Sequence, residues 1–422
     1  MAATVMAKKK IVILGYDAIT PLGTNLDEQW QRLCCGESGV GRLSRFTVPS
    51  NFPVHIAGQI PDEPLPKYSF LSARHQAAWF SPIFKYGILT AVHALENSGI
   101  EAGAVPGLAA RLAVTYSSAI GGLDAVLTAD RRLTSGKLPH PYANPNSCIN
   151  MIGGKIAIET GATGPIFAPI SACATGLSSI LTAALLIDSG RADVAICGAV
   201  DCPLVEPIVA GFYTMNGVFH DKDGEESGPQ EASRPFSVNR RGFVISEGAG
   251  ALIIASADFA LAHGLKWQIE LRGWSMSSDA HHFVAPHLPT VARCITEAIA
   301  DANLRPSDID TVNAHATSTK IGDLVEFQAL RQIFGEKLPL VTANKSQIGH
   351  CMGAASAIET IFALRGLSEG LLPPTINYVP DPEIDIADSL TAAARWLDQR
   401  FVLKNSFGFG GCNACAVFAR VK

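Results

Sequence analysis

The sequence has few charged residues and no excess of positive charge. Only 17% of its 422 residues are Asp, Glu, Lys or Arg, and the formal net charge is −5. Chains that bind nucleic acid usually carry a basic surface, whereas the one short lysine run here, residues 8–10, directly precedes the first predicted strand. The composition therefore gives no support for nucleic acid as the main partner.

Signals for a membrane, for export and for zinc are also missing. No apolar run reaches the roughly 20 residues that a membrane-spanning helix needs. The first residues contain no apolar segment ahead of a cleavage site. The ten cysteines are scattered, and the pair Cys412 and Cys415 has no second half that would complete a zinc site. We therefore predict a cytoplasmic, reduced protein with no metal site and no membrane partner.

Hydrophobic residues, in contrast, make up 48% of the chain. A chain of this length and composition must bury much of its surface, which favours an α/β fold whose strands are covered on both faces. Such strands consist of uninterrupted apolar residues, and the runs at 11–14, 194–197 and 251–254 have this character. The composition therefore predicts a layered α/β protein.

The pattern of strands and helices starts again after residue 266. Residues 267–274 resemble the opening strand at 10–16, and further helix and strand patterns follow. Between them lies a charged, glycine-containing stretch at 222–233, which we predict to be a surface loop. A chain built from two related halves explains this repetition. We predict a duplicated α/β fold with halves at 1–265 and 266–422.

Cys173 is a candidate nucleophile because of its position. An apolar run at 164–168 precedes it, and a helical pattern at 177–189 follows. At a helix N-terminus the free backbone N–H groups and the helix dipole stabilise a thiolate, so a lowered thiol pKa is expected. A small buried cysteine at a tight turn is the alternative. This stretch alone leaves both interpretations open.

Two histidines occur in similar surroundings. His315 follows an apolar strand pattern, and His350 precedes a helix of small residues at 353–357. Turns at the carboxyl ends of strands are where α/β sheets bind ligands. Either histidine alone would also fit a hydrogen-bonded turn. Together with Cys173, however, they supply the nucleophile and the two imidazoles that covalent acyl chemistry needs.

A glycine-rich stretch lies near the end of the chain. Residues 405–414 include Gly408, Gly410 and Gly411, which favours a tight loop whose N–H groups can point at a ligand oxygen. A plain turn ahead of the last strand is the alternative.

Four ordered motifs resemble those of the elongating β-ketoacyl-acyl carrier protein synthases, the ketosynthase II type and its polyketide relatives. The motifs are residues 171–176, 312–319, 345–350 and 405–413. The resemblance implies the thiolase fold, in which two similar halves form five αβαβα layers. It also implies a dimer that forms across the sheet edge beside the active site.

The resemblance further implies a reaction, the decarboxylative Claisen condensation. Cys173 would take an acyl chain from the phosphopantetheine arm of an acyl carrier protein. Malonyl-acyl carrier protein would then lose carbon dioxide, and its carbanion would attack the acyl-cysteine to give 3-ketoacyl-acyl carrier protein. This chemistry serves fatty acid or type II polyketide and polyene synthesis. It implies no metal and no cofactor beyond the arm that the carrier delivers, and a partner subunit that is identical or a chain-length factor.

The family also implies residue roles. His315 and His350 would hydrogen-bond the malonyl thioester oxygen and stabilise the enolate, because negative charge appears there as the carboxylate departs. The backbone N–H groups of Cys173 and Phe409 would form the oxyanion hole. Lys345 would orient the site through a carboxylate, which matches Glu326. Substrate contacts are implied for Thr317, Thr319, Ile120, Gly408, Phe409 and Gly410.

Several positions depart from the family pattern. Ser237 and Arg241 stand where aspartates are expected, Ala316 replaces a glycine, and Cys412 replaces a threonine. Residues 76–80 lack the basic cluster with which fatty-acid enzymes often meet the acidic carrier protein. The chemistry is expected to survive these changes, but carrier docking and acyl-chain identity stay open.

Other members of the superfamily fit less well. A degradative thiolase would need a second catalytic cysteine in a Cys-x-Gly setting near the C-terminus. Initiating synthases use Cys-His-Asn, whereas this chain has His350. A chain-length factor lacks the active cysteine, so Cys173 argues against it. A non-catalytic partner subunit of a ketosynthase heterodimer remains the alternative function.

Overall fold

The computed structural model describes residues 8–49, 51–101, 103, 105–220 and 228–421. Residues 222–227 of the predicted surface loop lie outside the described residues. The strands are β1 Ile11–Ile19, β2 Val40–Arg42, β3 Ile56–Gly58, β4 Leu112–Ser117, β5 Ile166–Phe167, β6 Val194–Asp201, β7 Gly248–Ser256, β8 Ile269–Ser278, β9 Thr311–Asn313, β10 Leu340–Thr342, β11 Leu371–Leu372, β12 Arg395–Trp396, β13 Phe401–Gly408 and β14 Cys412–Arg420. The helices are α1 Leu26–Cys34, α2 Ala73–Ala78, α3 Pro82–Asn97, α4 Leu123–Thr134, α5 Ala143–Ser147, α6 Asn150–Thr160, α7 Thr175–Asp188, α8 Glu206–Thr214, α9 Ala257–Ala262, α10 Leu288–Asp301, α11 Lys320–Phe334, α12 Lys345–Ile348 and α13 Met352–Glu369.

Ten of these strands form one sheet whose order repeats. The order is β10-β9-β13-β14-β8-β1-β7-β6-β4-β5, and the two halves join where β1 pairs antiparallel with β8. In the first half β4 runs parallel to β5 and β6, whereas β7 is antiparallel to β6 and β1. The second half repeats this arrangement with β9, β10, β13, β14 and β8. The predicted duplication is therefore present in the topology; the limits at 265 and 266 stay a prediction.

Helices cover both faces of each half, which gives the expected five layers. The long helices α7 and α13 pack against each other and against inward-facing residues of both halves. Helices α3 and α6 cover the outer face of the first half, and α10 and α11 cover the outer face of the second. Every residue of β6 and β7 is buried for this reason, so apolar residues follow one another in these strands instead of alternating with polar ones.

Some element boundaries differ from the prediction. The spacing of the apolar residues at 76–98 predicts one helix, but the chain forms two, α2 and then α3. Pro82 opens α3 because proline has no N–H to donate and its fixed φ suits the first helical turn. Strand β1 extends beyond the predicted strand at 10–16, since it pairs with β7 as far as Ile19.

The free edge of the first half is short and apolar. Of the predicted strand at 164–168, only Ile166 and Phe167 pair, in register with β4. Their side chains are 43% and 50% exposed, and Ile170 nearby is 55% exposed.

Among the described residues, no helix is both long enough and apolar enough to cross a membrane.

Candidate active site

Cys173 lies in a tight turn directly before α7. A single 3-10 turn, Ala172–Ala174, connects the edge of the sheet to this helix, as the sequence predicted. Ala172 has a φ of +48°, which is unusual for a residue with a side chain. The hydroxyl of Thr175 stabilises the turn, since it donates to the carbonyl of Ala172 and accepts the N–H of Ser171. The strained turn presents the thiol to the interior of a cavity.

The two histidines converge on this thiol. His350 Nε2 lies 3.0 Å from Cys173 Sγ. The rings of His315 and His350 are nearly perpendicular, with centroids 5.8 Å apart. A sulfur and two imidazole nitrogens thus lie within 4.8 Å of one another, a spacing that a metal ion could also use. The absence of a metal stays a prediction. A nucleophile beside a proton acceptor is the arrangement that covalent catalysis requires.

Burial dominates the electrostatics of the thiol. It raises the pKa of Cys173 to about 11, although the charge of Lys345 and the backbone N–H of Phe409 oppose the rise. The expected lowering of this pKa by the helix N-terminus was therefore wrong in sign. The desolvation of a thiolate outweighs the partial charge of one helix end here.

Burial has the opposite consequence for the imidazoles. It holds the pKa of His315 and His350 well below the usual range, and the ammonium groups of Lys345 and Lys404 lower both values further. Both rings are therefore neutral at pH 7. A neutral ring can accept the proton of the thiol, which is how a cysteine with a high pKa is activated within a pair.

The pairing predicted between Lys345 and Glu326 is wrong. Lys345 Nζ binds Glu359 Oε1 at 2.5 Å and donates to the carbonyl oxygen of His315 at 2.6 Å. Glu326 instead accepts the backbone N–H groups of His315 and Ala316 at 2.9 and 2.7 Å. Both residues do hold the segment that carries His315, but the carboxylate partner of the lysine comes from α13. The sequence analysis identified only Glu326, and it is the packing of α13 against α12 that makes Glu359 the partner.

Two further charged residues were missed by the sequence analysis. Glu359 and Lys404 are fully buried, and Lys404 Nζ lies 2.7 Å from Glu359 Oε2. Each lies in an element whose residues are mostly buried, Glu359 in α13 and Lys404 in β13. A charge next to apolar residues, as in Ile358-Glu359 and Leu403-Lys404, is a signal that could have identified them, because charges are buried only when they are paired.

The glycine-rich loop forms as predicted between β13 and β14 and closes over the nucleophile. Gly408 lies so close to the turn of Cys173 that a Cβ at this position would lie 2.3 Å from the carbonyl oxygen of Ser171. The N–H groups of Phe409 and of Cys173 itself both interact with the thiol. Two N–H groups that converge beside the nucleophile fit the expected oxyanion hole.

A cavity of about 720 Å³ connects these groups. It is lined by most of the predicted site residues, namely Cys173, His315, His350, Ile120, Thr317, Thr319, Gly408 and Phe409. Gly410, Lys345 and Glu326 are not part of the lining. The hydroxyls of Thr317 and Thr319 are 3.0 Å apart. The apolar part of the wall includes three residues that the sequence did not indicate, Phe212, Met215 and Phe243.

Comparison with known families settles what kind of protein has this geometry. Residues 8–260 match the family model "Beta-ketoacyl synthase, N-terminal domain", and residues 269–379 match "Beta-ketoacyl synthase, C-terminal domain". The chain belongs to the β-ketoacyl synthase family. This confirms the resemblance and the enzyme class predicted from the four motifs, an acyl-transferring condensing enzyme.

Full-length relatives agree with this assignment. The ketoacyl synthase is 34% identical over 426 residues to the 3-oxoacyl-[acyl-carrier-protein] synthase 2 of Vibrio harveyi, covering 99% of this chain and 100% of the relative. Among solved structures, it is 26% identical to a chain from a complex of a type II polyketide acyl carrier protein with its ketosynthase bound to a hexaketide. That match has a TM-score of 0.87 and covers 98% and 100% of the two chains. A chain of the ishigamide ketosynthase/chain length factor is 28% identical, with a TM-score of 0.86 and coverage of 99% and 100%. The thiolase fold predicted for this synthase is thereby confirmed.

Proposed function

We propose that this ketoacyl synthase joins an acyl chain held on Cys173 to a malonyl unit, with loss of carbon dioxide, to give a 3-ketoacyl thioester. The observation that carries the proposal is the 3.0 Å separation of Cys173 Sγ and His350 Nε2, with His315 beside them in one cavity. Family membership supports the reaction type, and the contacts of these residues support their roles.

The first half-reaction transfers the acyl group to the enzyme. Cys173 gives its proton to His350 Nε2, and the sulfur attacks the thioester carbonyl of the incoming acyl carrier. The N–H groups of Cys173 and Phe409 stabilise the negative oxygen of the tetrahedral intermediate. When the intermediate collapses, the carrier's sulfur leaves and takes the proton from His350. The cysteine then holds the acyl chain as a thioester.

The second half-reaction forms the carbon–carbon bond. His315 and His350 donate N–H groups to the malonyl thioester oxygen, so the electron pair left by the departing carbon dioxide is stabilised as an enolate. The enolate carbon attacks the acyl-cysteine, and the thiolate of Cys173 leaves. In the described part of the chain Nδ1 of both rings lacks a hydrogen-bond partner. Each ring can therefore present Nε2 with or without a proton as the two half-reactions require.

The partners follow from the same proposal. A carrier protein supplies both thioesters through its phosphopantetheine arm, and Thr317 and Thr319, which lie in the cavity wall, contact that arm in this proposal. The exposed apolar edge at Ile166 and Phe167 is suited to a second subunit, identical or a chain-length factor. Similar proteins named above include a carrier-bound ketosynthase and a ketosynthase paired with a chain length factor. We place the reaction in the cytoplasm and assign the enzyme no cofactor of its own.

The pathway is fatty acid or polyketide synthesis, since relatives from both are similar to this chain. The alternative is a non-catalytic partner subunit. To distinguish the catalytic enzyme from the partner subunit, the protein is incubated with acyl carrier protein loaded with a panel of acyl chains. The mass of the intact enzyme is then measured by mass spectrometry. We expect one acyl addition that is lost in Cys173→Ala. No addition, or equal addition to Cys173→Ala, would contradict the enzymatic proposal and favour the partner subunit. Addition of malonyl-acyl carrier protein should then release a 3-ketoacyl product.

A further inference from the structure

Four charged side chains are buried together below the active site. Lys345, Lys404, Glu326 and Glu359 are each at most 1% exposed, and their formal charges cancel. Glu359 connects the two lysines, with oxygens 2.5 Å from Lys345 Nζ and 2.7 Å from Lys404 Nζ. A carboxylate with two ammonium partners is satisfied on both oxygens, which is the condition for burying such charges.

This cluster holds the backbone around His315 from several directions. Lys345 donates to the carbonyl oxygen of His315 at 2.6 Å, and Lys404 Nζ lies 3.5 Å from that of Ala314. Glu326 accepts the N–H groups of His315 and the next residue. Asn405, adjacent to Lys404 on β13, donates to the same glutamate at 3.1 Å. The position of the imidazole is therefore set by side chains of α11, α12 and β13.

We propose that Lys404 is a positioning residue for the two active-site histidines, because it holds Glu359, and with it Lys345, in place beneath them. The inference rests on the proposed condensation for its catalytic meaning. Without the second ammonium, one oxygen of Glu359 would lose its partner. Lys345 could then turn toward that oxygen and away from the His315 carbonyl.

The ionisable groups that face Lys404 act in both directions. They are Glu359 of α13, Glu326 of α11, Lys345 of α12, the two histidines, and Cys415 of β14. Burial lowers the pKa of Lys404 to about 8, while Glu359 raises it in opposition. Below this pH Lys404 is protonated, and its charge lowers the pKa of both imidazoles. Above it the charge is lost and this effect fades.

The test compares Lys404→Met, which removes the charge, with Lys404→Arg, which keeps it. The direct measurement is an NMR titration of isotope-labelled histidines, with the two signals assigned from His315→Ala and His350→Ala. We expect Lys404→Met to raise the pKa of both rings by about one unit, as the loss of one partly screened charge would. Lys404→Arg should stay close to the wild type. The exposed Lys266→Met is the matched control and should shift neither signal.

Condensation assays supply the second readout. In Lys404→Met the acid limb of the kcat profile should move to higher pH by the same amount, with KM for the malonyl carrier little changed. Unshifted histidine signals in a folded Lys404→Met protein would overturn the inference, and so would equal shifts in Lys404→Arg. If Lys404→Met does not fold, Lys404→Gln replaces it, because glutamine is neutral and keeps a donor toward Glu359. A wild type that fails to condense contradicts the proposed function, whereas the titration still decides the role of Lys404.

Discussion

Gly408 provides a sharp test of the oxyanion hole. In Gly408→Ala the new Cβ would lie 2.3 Å from the Ser171 carbonyl oxygen and 3.2 Å from the Cys173 nitrogen. Ordinary contact begins at 3.4 Å, so the glycine-rich loop and the nucleophile turn must separate by about 1 Å. Oxyanion donors act at about 2.7–3.1 Å, so this shift removes the Phe409 N–H from the reacting oxygen.

Loss of one such donor lowers kcat by about 100- to 1,000-fold, or about 2.7–4 kcal/mol of transition-state stabilisation. We expect both half-reactions to slow, because each passes through a tetrahedral intermediate. Acylation is measured by rapid quench and intact mass, and condensation by product release. Gly154→Ala in α6 is the matched control, since its Cβ meets nothing within 4 Å. A folded Gly408→Ala enzyme within about fivefold of the wild type in both steps would refute the reasoning.

Three further predictions concern single residues in the site or beside it. His350→Ala should slow the acylation of Cys173, because the thiol loses its proton acceptor, and should also lose condensation by at least about 100-fold, because an enolate donor is gone; condensation at the wild-type rate would contradict its role. Since burial raises the Cys173 pKa to about 11, the rate of its alkylation by iodoacetamide should keep rising with pH beyond 10, whereas a plateau near neutrality would indicate a stable thiolate. Asp201→Asn should lower the free energy of unfolding in urea by about 2–4 kcal/mol. Asp201 accepts the Ser118 hydroxyl and three backbone N–H groups on its two oxygens, whereas an amide can accept only at its one oxygen. A change below about 0.5 kcal/mol would be inconsistent with this prediction.

The layers and the reactive residues could be predicted from the sequence because local patterns determine them. Strands β6 and β7 have apolar residues at consecutive positions, and only a sheet covered on both faces buries every residue in this way. Cys173 and His315 each follow a predicted strand, so their meeting at one edge follows from the fold class.

Other features depend on packing that no local pattern records. The partner of Lys345 is Glu359 rather than Glu326, and the choice depends on how α13 lies against α12. The sign of the Cys173 pKa shift depends on burial, because the glycine-rich loop and the cavity wall exclude water from the helix end. A sequence pattern places a cysteine at a helix N-terminus but does not show how far that position is buried from water.

The repeated strand order places Cys173 and His350 at equivalent positions. Cys173 follows β5 and precedes α7, whereas His350 follows β10 and α12 and precedes α13; β5 and β10 are the outermost strands of their halves. The two helices touch, and Leu177 donates its N–H to the Ser356 hydroxyl at 2.9 Å. The nucleophile and its proton acceptor are thus corresponding points on either side of a pseudo-twofold axis. Each half supplies one member of the pair, so neither half contains an active site by itself. The 3.0 Å distance between Cys173 Sγ and His350 Nε2 therefore depends on the packing of the two halves against each other.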